Sequence, residues 1–392
     1  MLHFALCGSY LDKPEYNPYQ VAKHTVRQKI LLLINSKPKS LVEIASKLNL
    51  DKNEVKMHIE ALEKCGLVKK LVVNGITLYA PAFAIFTLED QRKLQPLIEE
   101  LSEDVVAVVS RSKKEVHETI NKLECTKSGY EFPDLDYIIV GAYTLDYEGL
   151  EVLSEEGFLI VSKQMPGGNY VFTGLEKGLV NLREAWMWGH NGQFGRYVFS
   201  THGKLPPGGR RAFPDITWFW ISLLKDRKFV EEKMIRLGDI LYALLKDPHT
   251  FNELNNVLKI PKSELLIDLT LLWELDYINV EKTSNRELAF EFKLNRPVFT
   301  SKDIDRIKSL SEKILRKFVD KSLKPKYSLI EEIYENTSPA KHQIDIKEAF
   351  NHLYHLIFEG ALDKLISKQV LSEPPLRKDG GKYSTWVSIG EV

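Results

Sequence analysis

A two-residue signal that begins a helix occurs twice in this chain. Ser40 and Glu43 have the S-x-x-E spacing of a capping box, in which each side chain bonds the backbone N–H of the other residue. Thr250 and Glu253 repeat that spacing, and Thr250 lies 210 residues after Ser40. An internal repeat at a fixed offset restricts the chain to folds that use one small unit more than once.

The residues around the first signal predict a complete small domain. VRQKILLLI and LVEIASKL have helical periodicity, and Asp51 with Glu54 repeats the cap spacing before a third helix that ends at Gly66. Asn74-Gly75 then separates two apolar stretches, which is a strong hairpin signal. Three helices and a hairpin in this order predict a winged helix-turn-helix domain at residues 18–84, called the first copy below.

The same order returns at residues 229–297, called the second copy below. LNLDKNEV of the first copy aligns with LKIPKSEL of the second without a gap, and Ser284-Asn285 occupies the turn of the wing. Residues 298–392 form a C-terminal helical region in which FEGAL stands where the first copy has KCGLV. This weaker third match predicts either a degenerate winged helix or a plain pair of helices.

Residues 85–228, between the copies, mix helix and strand signals. LQPLIEELSEDVVAVV and SKKEVHETINKLE predict helices, whereas LDYIIVGAYT is a short apolar run that predicts a buried strand. The predicted fold class is therefore α+β and multi-domain, with tandem winged helix-turn-helix domains flanking an α+β middle domain.

LVEIASKLNLDKNEVKMHIEALEKCGLVKK in the first copy resembles the core motif of the ArsR-type winged-helix family. That resemblance implies a winged-helix fold and a DNA-binding regulator. In size and domain order, the whole chain is also similar to the archaeal ribosome dimerisation factors. This second resemblance implies a ribosome-associated translation regulator of the dimerisation or hibernation type.

The second predicted helix of the helix-turn-helix is the one that would enter a major groove. In the first copy its outward positions include Lys52, Asn53 and Lys56, where lysine suits phosphate or guanine and an amide suits adenine. The chain has no formal net charge, but residues 20–83 carry eleven Lys and Arg against five Asp and Glu. We therefore expect a local nucleic-acid surface, to which we assign Lys69 and Lys70 as well; a solvated helix face is the alternative.

The second copy has a different outward face. Leu266, Ile267 and Trp273 occupy the positions where the first copy is polar or charged. An apolar stripe cannot bind base edges and would be an aggregation hazard if it stayed exposed. We expect it to form an interface with another domain or with a second subunit, and we predict a homodimer.

WMWGHNGQFGRYVF, at residues 186–199, and KLPPGGRR, at residues 204–211, concentrate aromatic, glycine and basic residues. Aromatic rings interleaved with arginines suit single-stranded RNA, and they equally suit a core with arginines at its rim. The basic loop is expected at the surface because turn residues fill it. We expect Lys204, Arg210 and Arg211 to contact RNA or a ribosomal protein.

The residues that would indicate catalysis lack partners in the sequence. His190 and His202 are candidate bases, but no nucleophile or metal-binding motif accompanies them, and the chain has no phosphate-binding loop. We expect a non-enzyme with no cofactor and no metal. Three cysteines, no signal peptide and no long apolar run predict a cytoplasmic protein without a membrane partner.

Two binding functions remain open on these observations. We favour a homodimeric factor that binds a nucleoprotein particle, with ribosomal RNA or ribosomal proteins as partners, because net charge is zero and the second copy does not suit base recognition. The alternative is an ArsR-like transcription regulator that binds duplex DNA.

Overall fold

The structure of the chain, a computed structural model, describes residues 1–10, 13–178, 187–204, 220, 221, 223–282, 290–377 and 380–390. It mixes helices with several sheets, as the α+β prediction requires. The backbone divides into two compact units, each built from three separated segments. Unit 1 is Met1–Val108, Gly149–Arg183 and Leu315–Ala361, and unit 2 is Val109–Glu148, Glu184–Ile314 and Leu362–Val392.

The helices of the described residues range from about one turn to nearly seven turns in length. They are α1 (Pro18–Ala22), α2 (Thr25–Ser36), α3 (Leu41–Leu48), α4 (Lys52–Lys64), α5 (Leu88–Arg111), α6 (Lys113–Ile120), α7 (Phe132–Asp136), α8 (Glu148–Glu155), α9 (Arg227–Ala243), α10 (Phe251–Leu258), α11 (Lys262–Glu274), α12 (Ser301–Phe318), α13 (Lys324–Glu335), α14 (Ser338–Lys341) and α15 (Ile346–Ser367). The described residues also include two π-helical segments, Tyr137–Tyr147 and Val319–Leu323, and a 3-10 turn, Glu124–Ser128.

The strands form four small sheets among the described residues. They are β1 (Leu2–Tyr10), β2 (Val68–Val73), β3 (Ile76–Pro81), β4 (Ala84–Phe86), β5 (Gln164–Met165), β6 (Gly168–Glu176), β7 (Met187–Phe194), β8 (Tyr197–Lys204), β9 (His249–Thr250), β10 (Ile278–Lys282), β11 (Phe290–Leu294), β12 (Val298–Phe299) and β13 (Lys382–Ile389). Unit 1 holds the sheet β1-β6-β4, with β5 also paired to β6, and the hairpin β2-β3. Unit 2 holds the sheets β10-β11-β9 and β12-β13-β8-β7.

Residues 25–81 of the first copy fold as three helices and a hairpin, as the sequence predicts, and the short helix α1 precedes them. The Ser40 hydroxyl accepts from the Glu43 backbone N–H at 3.3 Å, and the Glu43 carboxylate accepts from the Ser40 backbone N–H at 2.7 Å, so the predicted capping box begins α3. Asn49 then adopts a left-handed conformation, with φ of 52°, and turns the chain into α4. Ile30, Ile44 and other buried apolar residues join these helices to the sheet of unit 1 in one core.

Among the described residues, the second copy has helices and strands in the same order, while Ser284-Asn285 of its predicted wing turn lie outside them. Thr250 and Glu253 form a capping box that begins α10. Lys259 has φ of 55°, and Asp276 has φ of 61°, so the left-handed positions of Asn49 and Gly66 recur 210 residues later. The apolar core of α9, α10 and α11 includes buried residues of β8 and β13 in unit 2.

One local expectation was wrong. LDYIIVGAYT is not a strand, because Tyr137–Tyr147 is a buried π-helical segment in which the Thr144 hydroxyl donates to the Ile139 carbonyl at 2.9 Å. A short apolar run fits a buried helix as well as a buried strand, so its periodicity could not decide. In the C-terminal region α15 continues through Gly360, the residue that aligns with Gly66 of the first copy in the weak third match.

The aromatic segment around residue 190 forms a hairpin. β7 pairs with β8 in antiparallel register, and Gly195 at the turn has φ of 56°. Phe194, Tyr197 and Phe199 are buried in the core of unit 2. The described part of this segment is thus a core with a tight turn, which is one of its two predicted roles.

Candidate nucleic-acid interface

One face of α4 is buried, and this burial determines which residues of the helix point outward. Val55, Ile59 and Leu62 are buried in the core of unit 1 at helical spacing. The opposite face therefore points outward, and it carries Lys52, Asn53, Lys56 and Met57, all exposed. The structure brings the first three predicted contact residues together on the first two turns of α4.

The charges around this face favour an anionic partner. The Asp51 carboxylate accepts from the backbone N–H groups of Asn53 at 2.7 Å and of Glu54 at 3.4 Å, so the helix start engages this acid. Lys56 lies 3.8 Å from Glu60 in a pair whose side chains are 61% and 58% exposed. Such an exposed pair is weak and would exchange readily for a phosphate.

The hairpin β2-β3 is the wing of the first copy, and it carries Lys69 and Lys70 on β2. These two lysines differ in how free they are to contact a partner. Lys70 is exposed and forms an ion pair with Glu63 at 2.9 Å. Lys69 is half-buried and donates to the His342 carbonyl oxygen at 2.6 Å, and burial lowers the pKa of its ammonium. Lys69 therefore supports the packing of unit 1, and Lys70 is the better candidate for an outside contact.

The tip of the wing carries a feature that sequence reasoning missed. Asn74 and Gly75 both have positive φ, of 52° and 76°, as a tight two-residue hairpin turn requires. Val72, Val73 and Ile76 on either side of this turn are exposed. The run VVNGI was the available signal, because three apolar residues around a hairpin turn cannot all point into a core.

The remaining predicted basic contacts lie in unit 2. Lys204, at the end of β8, forms an ion pair with Asp363 at 3.0 Å, and its side chain is 41% exposed. Arg210 and Arg211 lie outside the described residues. The predicted loop contact therefore stays a prediction.

The outward face of α11 differs in chemistry from that of α4. Leu266, Ile267 and Trp273 are 58%, 61% and 50% exposed. Residues 230–293, which correspond to residues 20–83 at the offset of the repeat, carry eight Lys and Arg against twelve Asp and Glu. The first copy has a net charge of +6 and the second a net charge of −4, so only the first would attract a phosphate backbone.

A buried ion cluster fixes α11 against α9. Asp268 is fully buried, and its carboxylate accepts from Nε of Arg236 at 2.6 Å and also contacts the Lys233 ammonium. Arg236 in addition pairs with Glu264. The corresponding residue of the first copy is His58, whose ring centroid lies 4.7 Å from that of His24.

The candidate bases occupy different environments. His202 is fully buried, with Nε2 3.2 Å from the Asp146 carboxylate and Nδ1 3.0 Å from the Tyr137 hydroxyl. His190 lies on β7 and is partly exposed. These contacts give His202 a clear structural role in unit 2.

The first copy has the three helices and the β-hairpin of a helix-turn-helix domain. The second helix of its helix-turn-helix, α4, is exposed and basic on its outward face. Residues 24–70 match the family model of the bacterial regulatory protein, arsR family, which confirms the predicted resemblance for this domain and supports DNA binding. No curated protein and no solved structure matches the chain, so the similarity to ribosome dimerisation factors finds no support. In the part of the chain that the structure describes, no helix is long and apolar enough to cross a membrane.

Proposed function

We propose that this chain is a DNA-binding transcription regulator in which α4 lies in the major groove. The observation that carries the proposal is the cluster of Lys52, Asn53 and Lys56 on the exposed face of α4. It lies within the arsR-family match and in a domain with a net charge of +6. The DNA alternative from the sequence is thus the better supported function, and a ribosomal particle is the weaker one.

The chemistry of the three side chains suits a duplex. The amide of Asn53 can pair with both N6 and N7 of adenine, while Lys56 can reach guanine or a phosphate. Lys52, in the first turn of α4, adds a positive charge beside the Asp51 carboxylate that caps the helix. Lys70 on the wing is placed for a further backbone contact.

The second copy has a separate role in this proposal. We propose that residues 229–297 are a second winged helix that binds another copy of the chain through α11 and does not bind DNA. Its net charge is −4, and three large apolar side chains of α11 are exposed. A dimer would also provide two α4 helices for two half-sites of an operator.

Charge complementarity along α11 favours a second copy as the occupant of this face. Lys262 lies at the first residue of α11 and Glu274 at the last, both exposed, with Leu266 and Thr270 between them at helical spacing. A two-fold axis through the middle of the helix would place it antiparallel to its own copy. Each end would then bring lysine of one helix to glutamate of the other, with the apolar side chains between them.

Duplex binding of the full-length protein tests the first proposal. Duplexes that the wild-type protein selects from a random pool would be titrated by fluorescence anisotropy. We expect Lys52→Glu with Lys56→Glu to weaken binding about 10- to 100-fold, which corresponds to the loss of one or two good contacts. Lys282→Glu, which reverses an exposed charge on β10 of the second copy outside the proposed dimer face, is the control and should change affinity less than twofold.

Two results would overturn the DNA proposal. One is an equal loss of affinity in the control and in the first-copy variant. The other is a wild-type protein that binds no duplex and instead co-sediments with small ribosomal subunits. Circular dichroism of each variant would show that the helices are intact.

Light scattering of the full-length protein tests the dimer. We expect a mass of twice 45.1 kDa at micromolar concentration, and a monomer for Leu266→Glu with Ile267→Glu. Val257→Glu, which alters an exposed apolar residue on α10 outside the proposed face, should leave the dimer intact. A wild-type monomer would overturn the dimer without affecting the DNA proposal.

A further inference from the structure

Unit 2 contains a cavity of about 810 Å³, large enough for a small organic molecule. It lies among the segment around α7, the loop before β9, the residues that follow β11 and the residues around the start of β13. Its cationic lining residues are Lys127, Lys246, Lys293, Arg296 and Arg377, and its acidic ones are Asp134, Asp247 and Glu373.

Arg296 is a largely buried guanidinium that is incompletely satisfied. Its Nη1 donates to the Asn295 carbonyl at 2.9 Å, and its Nη2 lies 3.9 Å from the Asp276 carboxylate, which is longer than a hydrogen bond. Its Nε is buried without a hydrogen-bond partner among the described residues. Burial lowers the pKa of Arg296.

Arg377 is the second guanidinium of the cavity. It donates from Nε to the Tyr383 carbonyl at 2.8 Å and from Nη2 to the Thr385 hydroxyl at 3.4 Å, and both of these acceptors are uncharged. Burial lowers the pKa of Arg377 to about 10, and the positive charge of Arg296 contributes to that decrease. Two like charges therefore share a partly desolvated space, which is costly unless an anion joins them.

Tyr130 adds an unused donor to the same cavity. Its hydroxyl is buried and has no hydrogen-bond partner among the described residues, and the pKa of Tyr130 is raised by burial, so the hydroxyl keeps its proton. Buried polar groups are nearly always bonded, so this hydroxyl is a donor that a bound molecule could use. Tyr130 and Arg296 interact electrostatically, so the free hydroxyl lies near the guanidinium.

Two of the acids around the cavity have partners elsewhere. Glu373 forms an ion pair with Lys382 at 2.6 Å, and Asp134 accepts from the backbone N–H of Glu131 at 2.9 Å. These two carboxylates therefore bond to groups other than Arg296 and Arg377. Two lining cations are engaged in the same way, because Lys127 pairs with Glu124 and Lys293 with Glu281. The remaining charged lining residues are Arg296, Arg377 and Lys246 against Asp247, so the cavity keeps a net positive charge.

We propose that this cavity binds a small organic anion, with Arg296, Arg377 and Tyr130 donating to its phosphate or carboxylate group. Arginine suits both groups because its planar fork can donate two parallel hydrogen bonds. This ligand site goes beyond the proposed DNA binding and does not depend on it. The volume admits an anion larger than inorganic phosphate, with an organic part lying against the proline and tyrosine side chains of the lining.

Thermal unfolding and isothermal titration of the full-length protein test the site without DNA. The probes are inorganic phosphate, pyrophosphate and citrate, each compared with chloride at the same ionic strength. We expect at least one probe to raise Tm and to bind with a stoichiometry of one per chain, since a ligand that binds only the folded state stabilises it. Phosphate probes acting without citrate would identify a phosphate ligand, and the reverse would identify a carboxylate.

Variants separate this site from general anion binding. Arg377→Gln and Arg296→Gln should each weaken the binding of the active probe at least tenfold, while Tm without ligand stays level or rises because a buried like charge is removed. Arg377→Lys keeps the charge and should weaken binding less than Arg377→Gln. Arg227→Gln removes an arginine of unit 2 that is 72% exposed and outside the cavity, and should leave binding unchanged.

Two outcomes would overturn the anion site. If none of the probes binds or raises Tm, the cavity is not an anion site. Equal responses of the wild type, the cavity variants and Arg227→Gln would mean that the anions act on the protein surface at large. Should a glutamine variant fail to fold, Arg377→Lys still decides, because unchanged affinity in that variant would contradict the assigned contacts.

Discussion

The first and second copies share a backbone pattern and differ in what their outward helix presents. In both copies a capping box begins the helix before the turn, and a left-handed residue ends it: Asn49 in one and Lys259 in the other. The outward face of α4 carries lysines and an asparagine, whereas that of α11 carries leucine, isoleucine and tryptophan. The same local fold is thus combined with two surfaces that suit different partners.

The inner faces differ as well, and this difference gives the largest expected effect. Asp268→Ala would leave Lys233 and Arg236 without their buried carboxylate, and breaking a buried pair in this way costs about 3–5 kcal/mol. His58→Ala at the matching position should cost far less, because His58 lies against an imidazole and 4.0 Å from a carboxylate that is itself partly exposed. Urea unfolding of both variants measures the contrast.

Equal losses in the two variants would mean that the inner faces are energetically alike. Asp268→Asn is the conservative control for the second copy. It keeps the shape of the side chain and one acceptor, and should therefore cost less than Asp268→Ala.

The capping boxes should behave alike in both copies. Ser40→Ala and Thr250→Ala each remove the side-chain acceptor at the start of a helix, and such a loss costs about 1 kcal/mol. Hydrogen exchange of the α3 and α10 amides would report each loss locally. A cost in only one copy would show that the shared local pattern is not used equally.

The two copies should also differ, by a smaller amount, in how their stability depends on pH. Burial, followed by the charges of His24 and Arg27, lowers the pKa of His58 from its model-peptide value of 6.5. The unfolded chain therefore takes up the proton first, and the free energy of unfolding falls as pH decreases below about 6.5. His58→Gln should flatten this decline.

Hydrogen exchange of α4 between about pH 7 and pH 5, corrected for intrinsic exchange rates, would measure this pH dependence. The α11 amides in the same samples are the internal control, because Asp268 replaces the histidine there. An unchanged pH dependence of α4 exchange in His58→Gln would contradict the assignment.

Local signals were predictable from the sequence, and distant contacts were not. The capping boxes, the turn at Asn74-Gly75 and the outward lysines of α4 all depend on residues within one turn of each other. By contrast, Lys69 bonds the carbonyl of His342, which is 273 residues away in the chain. Arg296 and Arg377 line one cavity although 81 positions separate them. No periodicity in either segment indicates that they meet.

The salt dependence of duplex binding tests the central claim most directly, which is that the first copy binds DNA and the second does not. Each phosphate contact contributes about 0.9 to the slope of log affinity against log salt concentration. We predict that Lys52→Glu with Lys56→Glu decreases the magnitude of that slope by about 1.8, from two such contacts, and that Lys282→Glu, outside the proposed dimer face, leaves it unchanged. An unchanged slope in the first variant, or an equal decrease in both, would contradict the account.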